Sequence, residues 1–230
     1  MTKKEMKKIF ALSIIILFAV KLFAQKDAQA TAILKKVSDK YRSFDVVKTD
    51  FYFTVENQQA SMHVTQSGTM LAKTKNNKFR VTIYGAESAS KPIIEQEIIS
   101  DGKTQWTYLK KDNEVQVNTA DNTEKGLNPA KIFTIYEHGY KYIYNGEKKE
   151  NGKVLQEIDL TPEAEETEFF KVRLSIDKVK NEIYSAFIFD KNGNHYIYTV
   201  RNFTGNPPAP ENTFTFDAKE HKGVEVVDLR

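Results

Sequence analysis

The chain reads as a mainly β protein with a smaller α part: an antiparallel sheet that curls toward a partial barrel, with helices lying over it. Three observations lead there. Apolar and polar residues alternate in about eleven successive runs, the period of a strand with one buried face. Asn-Gly and Asp-Gly pairs stand at several joints between runs, and such pairs tolerate the positive φ of tight hairpin turns. Just before the first run the apolar spacing is three and four residues, as in a helix resting on something apolar.

That helix is expected over Asp27–Arg42, where Ala30, Ile33, Leu34, Val37 and Tyr41 share one face. From Val47 the period becomes two. Val47, Thr49, Phe51, Phe53 and Val55 point one way, and Lys48, Asp50, Tyr52, Thr54 and Glu56 the other. Similar runs follow at Met62–Lys73, Lys78–Tyr84, Glu95–Ser100, Thr104–Leu109 and Glu114–Asn118. After a gap come Tyr140–Asn145, Val154–Thr161, Phe169–Asp177, Glu182–Asp190 and His195–Phe203. The joints Asp101-Gly102, Asn145-Gly146, Asn151-Gly152 and Asn192-Gly193 make sequential hairpins, hence a meander. About eleven strands are too many for a flat sheet, which twists and curls as it widens.

The gap before Tyr140 has its own chemistry. Asn128 can cap a helix, Pro129 suits its first position and Gly139 can end it, which predicts a short helix over Asn128–His138. It carries Ile132, Phe133, Ile135 and Tyr136 and can lie across a concave sheet as a lid, approached through the polar stretch Thr119–Gly126. Pro207, Pro208 and Pro210 predict an extended surface crossing over Gly205–Asn212.

The first residues read as an export signal. Met1–Lys8 holds four lysines against one glutamate, Ile9–Val20 is almost wholly apolar, and Ala24 is a small residue near the expected cut. The apolar run is about 12 residues, short of the roughly 20 that span a bilayer. Gln25 stands where a lipidated protein would need cysteine, so residues 25–230 are expected to form a single, exported, unlipidated domain. Removing residues 1–24 takes away five lysines and Glu5, a net of +4, so the remainder carries −1 of the chain's +3. A nucleic-acid partner is not expected on a surface without a basic field. With no cysteine there is no disulfide, thiolate metal site or cysteine nucleophile. Stability must come from a core, which the 15 Phe and 11 Tyr can supply.

Catalytic and metal-binding patterns do not emerge. His63, His138, His195 and His221 have no close-spaced partner of the kind that marks zinc sites. Glu163, Glu165, Glu166 and Glu168 crowd one connection, the pattern of a solvated loop, whereas a general acid and base need different environments. A non-enzyme without cofactor is the expectation. What the strands do offer is a supply of large apolar side chains. Phe51, Phe53, Met70, Phe79, Val81, Ile83, Trp106, Tyr108, Leu174, Ile176, Phe187 and Phe189 share one face if the alternation holds throughout. They either fill the interior or line a cavity, and periodicity does not distinguish the two.

Ser100–Leu109 reads Ser-Asp-Gly-Lys-Thr-Gln-Trp-Thr-Tyr-Leu, and in this stretch the chain resembles the LolA family of periplasmic lipoprotein carriers. Other matches follow in order: the helix before the first strand, Gly68–Leu71 ahead of a basic turn and Lys78–Tyr84, and Leu127–Ile135 at the place of the family's lid helix. Thr213-Phe214-Thr215-Phe216 and Gly223–Asp228 are similar to its closing Phe-rich strand and final segment. The resemblance implies an incomplete, unclosed antiparallel barrel of eleven strands, with helices closing a hydrophobic cavity that takes lipoprotein acyl chains. It implies a monomer in the periplasm that receives cargo from an inner-membrane ABC-type lipoprotein-releasing complex and delivers it to an outer-membrane receptor or membrane surface. The twelve inner-face residues above would line the cavity, with Ile132, Phe133 and Ile135 in the lid. Where the family has Lys-Arg-Pro, with an arginine that latches the lid, this chain has Thr74-Lys75-Asn76, which puts Lys75 at the latch without the guanidinium's planar fork. Rival readings are an envelope-stress sensor module built on the same half-barrel and a carrier of a specialised lipid-linked product.

Overall fold

Helix α1 (28–42) and twelve strands make up the regular structure of the computed structural model, which describes residues 28–85, 93–120, 133–137 and 139–230. The strands are β1 (Val46–Asn57), β2 (Met62–Lys73), β3 (Lys78–Tyr84), β4 (Ile94–Asp101), β5 (Thr104–Leu109) and β6 (Glu114–Thr119), then β7 (Tyr140–Glu150), β8 (Lys153–Pro162), β9 (Phe169–Asp177), β10 (Glu182–Asp190), β11 (His195–Gly205) and β12 (Glu225–Asp228). The export signal expected over residues 1–24 lies outside the described residues, as do Ile132 and most of the helix expected over Asn128–His138.

Each of the alternating runs is a strand, and their joints follow the expected turn chemistry. At the β7–β8 hairpin Asn151 and Gly152 both take positive φ, 48° and 74°, the two-residue turn whose twist matches its flanking strands. The β4–β5 turn is held by Asp101, whose Oδ1 accepts from the backbone N–H of Lys103 and of Thr104, each at 2.8 Å. Asn145-Gly146 is not a joint. β7 continues through it to Glu150, and the register against β8 shifts between Tyr144 and Gly146, so the pair forms a bulge.

All twelve strands belong to one sheet, in the order β12-β6-β5-β4-β3-β2-β1-β11-β10-β9-β8-β7. Two meanders, β1–β6 and β7–β11, are joined where β1 pairs antiparallel with β11. The sheet does not close, because β12 and β7 are its two edges. β12, which the alternation did not reveal, runs parallel to β6. The expected Phe-rich strand over residues 213–216 is absent. Glu211–Phe214 is a 3-10 turn, reached by an extended proline stretch in which Pro210 has φ −63° and ψ 153°.

Register separates the two faces of the sheet. Phe51 opposes Gly68 on β2 and, beyond it, Ile83 on β3; Met70 opposes Thr49 and Val81; Ala72 opposes Val47 and Phe79. These residues form the inner face, and α1 packs on it with Ala30, Ile33, Leu34, Val37 and Tyr41, all buried as the helical spacing predicts. In the second meander Ile158, Leu160, Val172, Leu174, Ala186 and Ile188 continue that core. Gly68 makes room for it: a Cβ there would stand 2.5 Å from Phe51 Cζ and 2.9 Å from the Thr82 carbonyl oxygen.

A second, smaller core lies on the outer face of β3–β6. Ile99, Tyr108, Val115 and Val117 are buried there, and Phe214 with them. The C-terminal segment is fastened over them by rings and ion pairs. Tyr108 meets Phe216 and His221 at ring-centroid distances of 5.4 and 4.7 Å, and Arg80 joins the nearly buried Glu97 at 3.0 Å while donating to the Thr213 carbonyl.

Candidate functional site

The inner face is the candidate site. Eight of the twelve residues expected there share it: Phe51 and Phe53 on β1, Met70 on β2, Phe79, Val81 and Ile83 on β3, and Leu174 and Ile176 on β9. The other four do not. Trp106 pairs with Ile99 and Val117, and Tyr108 with Glu97 and Val115, all on the outer face beneath or beside the C-terminal segment. Phe187 and Phe189 pair with Ile197 and His195, while the inner residues of β10 are Ala186 and Ile188. The cause in β10 is a bulge. The register against β9 passes from Ile183 to Ser185, so Tyr184 is extra and the parity of the strand reverses after it. In β5 the aromatic side chains stand on the outer face, with Gln105, Thr107 and Leu109 on the inner one.

Sequence reasoning passed over the aromatic contribution of β11. Tyr196, Tyr198 and Val200 face Val55, Phe53 and Phe51 across the β1–β11 ladder, and the Phe53 ring stacks on Tyr198 at 4.7 Å. Their alternation within the last long run was a usable signal; what it lacked was the knowledge that β11 neighbours β1. Burial pushes the Tyr198 hydroxyl's pKa up, so that side chain stays neutral.

Burial falls along the inner face toward the β1–β2 hairpin. Val47, Thr49 and Phe51 are sealed beneath α1, but Val64, opposite Val55, is 49% exposed and Met62 is 38% exposed. An apolar strip therefore continues past the helix to an uncovered rim.

The connection from β6 to β7 must travel from one side of the open sheet to the opposite edge. Its described part, residues 133–137, sits on the inner face, and Ile135–Glu137 is a 3-10 turn. Phe133 and Tyr136 are buried and Ile135 packs against the same core. Phe133 stacks on Tyr41 of α1 with ring centroids 4.4 Å apart and 17° between planes. Beneath it, a void of about 20 Å³ is walled by Thr49, Phe51, Met70, Phe133, Ala186 and Tyr198, among others. That is room for about one water-sized sphere.

Closure is also polar. Glu137 accepts from Ser38 Oγ at 2.5 Å and from Arg42 Nη2 at 2.6 Å, both on α1. Lys40 ties the other side of the helix to the β9–β10 turn, through the Lys180 carbonyl at 2.7 Å and the Glu182 carboxylate at 2.9 Å. Lys75, expected at the latch, pairs with Asp45 at 2.7 Å in the joint between α1 and β1, both side chains largely exposed. Among the described residues, the ionic tie between α1 and the crossing segment belongs to Glu137. A short Glu has neither a motif nor a period to announce it. Two buried hydroxyls at this seam, those of Tyr41 and Tyr136, have no hydrogen-bond partner.

The arrangement holds apolar surface behind α1 and the crossing segment, and among the described residues it presents no converging nucleophile, acid and base. No group of three or more His, Asp or Glu residues able to hold a metal occurs among the described residues, nor is any described helix long and apolar enough to cross a membrane.

Comparison with known proteins agrees with this architecture. The family model described as "Outer membrane lipoprotein carrier protein LolA" matches residues 42–217. The outer-membrane lipoprotein carrier protein of Pasteurella multocida is 28% identical over 211 residues, 91% of this chain and 93% of its own. That of Legionella pneumophila (strain Corby) is 24% identical over 224 residues, 96% of this chain and 99% of its own. Among solved structures, an uncharacterised conserved protein from Thermus thermophilus superposes with a TM-score of 0.53 at 16% identity, covering 87% of this chain and 99% of that one. With its unclosed sheet, its covered inner face and a family match that runs from the end of α1 to the C-terminal segment, the chain belongs to the LolA family of outer-membrane lipoprotein carrier proteins.

Proposed function

We propose that this protein is a carrier, not an enzyme, that shelters the acyl chains of lipoproteins against its inner face and takes them through the periplasm from the inner to the outer membrane. The observation that carries the reading is a continuous apolar inner face covered by α1 and the 133–137 segment. Each methylene kept from water is worth about 0.8 kcal/mol, so a long chain crossing an aqueous space needs an apolar shelter of this kind. With α1 and the 133–137 segment packed on the inner face, a chain enters only as they move away, and the work of opening lowers the apparent affinity. That keeps the hold weak enough for release.

In this reading Phe51, Phe53, Met70, Phe79, Val81, Ile83, Leu174 and Ile176 line the site, and Ile132, Phe133 and Ile135 belong to its lid. The protein is exported through residues 1–24, receives cargo from an ABC-type releasing complex and yields it to a receptor or to the outer membrane itself. Native mass spectrometry tests the binding step. Protein purified from a lipoprotein-producing host should carry acylated species or take up a diacylglyceryl lipopeptide. Depletion in the parent cell should leave lipoproteins at the inner membrane. A protein that takes up no acyl probe, with lipoprotein sorting normal in its absence, would overturn the reading.

A further inference from the structure

Among the described residues, the buried side-chain polar groups left without a hydrogen-bond partner are two hydroxyls at the seam between α1 and the crossing segment. Tyr41 is 7% exposed and Tyr136 5%, and neither hydroxyl has a hydrogen-bond partner. Ser38 lies close to the Tyr136 hydroxyl but outside hydrogen-bonding geometry, and its own proton goes to Glu137. Leaving a buried donor unmade is costly, and in native proteins such a group calls for an explanation, a functional role among them. Phenylalanine would supply the same ring to the Tyr41–Phe133 stack without the orphaned oxygen.

Position suggests what comes. Tyr41 belongs to α1 and Tyr136 to the segment opposite it, the two elements that must part before a chain can enter. Once parted, they place a hydroxyl on either side of the opening, with the apolar face behind them. An amphipathic ligand whose tails lie along that face brings its first polar atoms to the level of the opening. The hydroxyls are suited to a neutral acceptor. Burial raises the pKa of both, so they remain donors, and the charged groups around the seam are already engaged: Glu137 with Ser38 and Arg42, Glu182 with Lys40. A carboxylate would meet two glutamates and find no free cation among these groups; an ester carbonyl requires only a donor.

Resting on the carrier reading, we propose that Tyr41 and Tyr136 are the polar anchor of the site, donating hydrogen bonds to the ester carbonyls of a diacylglyceryl ligand whose chains occupy the inner face. The anchor fixes how deep the chains sit, and it exchanges two unmade hydrogen bonds in the empty protein for two made ones in the loaded form.

Ester and ether lipids discriminate, because a dialkyl glyceryl ether has the same chains and no carbonyl. Binding is measured for a diacylglyceryl lipopeptide, a diacyl phospholipid and the ether analogue of each, with the full chain and with Tyr41→Phe, Tyr136→Phe and the double variant. The native chain should prefer ester over ether by roughly tenfold for each bond made, and the double variant should bind both with the affinity of the ether. Each single variant keeps its ring, and thermal unfolding confirms that it is folded. A preference confined to the lipopeptide identifies the lipoprotein as the source of the ester; one shared by the phospholipid identifies the diacylglyceryl group alone. Equal ester and ether binding by the native chain, or a preference that survives in the double variant, overturns the anchor and leaves the carrier reading intact. Failure of the native chain to bind any of the four ligands removes the carrier reading and the anchor with it.

Discussion

Replacing Phe133 by alanine should make the protein less stable and a tighter acyl binder. The ring is 4% exposed, stacks on Tyr41 and roofs the small void on the inner face. Truncating a buried phenylalanine costs about 3–5 kcal/mol, and a ring that already borders a void belongs at the lower end, about 3 kcal/mol. For a domain of this size that lowers Tm by roughly 6–12 °C. The open form never held the contact, so the equilibrium between closed and open shifts by the same amount. An entering chain forfeits about 1 kcal/mol of contact with the missing ring, which leaves about 2 kcal/mol in favour of binding. Apparent affinity for a fluorescent acyl probe should therefore rise roughly 30-fold. Calorimetry and probe titration on the same preparation read both quantities. Lower stability together with unchanged or weaker binding would show that Phe133 is wall rather than closure, and would refute the reasoning.

Glu137→Ala should act in the same direction, loosening α1 by removing the acceptor of Ser38 and Arg42, and it is checked by the rate of probe uptake. Because the Arg42 side chain is 63% exposed, raising salt on the native protein should reproduce part of the effect. Gly68→Val should destabilise by about 1–3 kcal/mol in denaturant unfolding, since its Cβ would overlap the Phe51 ring and the Thr82 carbonyl; adding Phe51→Leu should recover part of the loss. Acid should weaken the fold below about pH 4. Burial on its own raises the Asp159 and Asp177 carboxyls, but it is outweighed, by Arg173 for Asp159 and by the backbone N–H groups of Lys180 and Val179 with Lys153 for Asp177. Folded pKa values held below the unfolded ones contribute stability above the unfolded pKa and lose it as pH falls through the folded one. Asp159→Asn should flatten the fall of Tm between about pH 5 and about pH 2.5 relative to the native chain.

Which runs become strands could be read from the chain because each pairs a period of two with turn residues of the right kind, as at Asn151-Gly152. Which face each strand buries could be read only where one face is polar. β1 and β3 satisfy that, with Lys48 and Asp50 or Lys78 and Arg80 opposite their apolar sets. β5 has a polar set too, Gln105 and Thr107, but it is the inward one, because the C-terminal segment returns over Tyr108 and makes the outer face a core. β10 fails for a different reason: a single extra residue at Tyr184 inverts its parity, and bulges have no fixed sequence mark. β12 is four residues long and owes its existence to β6, a partner more than a hundred residues earlier, so no local pattern encodes it. The seam was half legible. The spacing of Ala30 to Tyr41 marked the buried side of α1, whereas the tie through Glu137 depends on how the crossing segment lands.

The sheet that never joins its own edges has a consequence for capacity. A closed barrel has its width fixed by strand number and shear, and changing either means breaking a ladder. Here β12 and β7 have no such condition to satisfy, so the distance between them depends only on how tightly the sheet curls. Small changes of twist, spread over eleven interfaces between neighbouring strands, can widen or narrow the trough while every backbone hydrogen bond of the sheet stays made. On the carrier reading, such a trough would take ligands with different numbers and lengths of chains by adjusting a curvature, without a separate pocket for each.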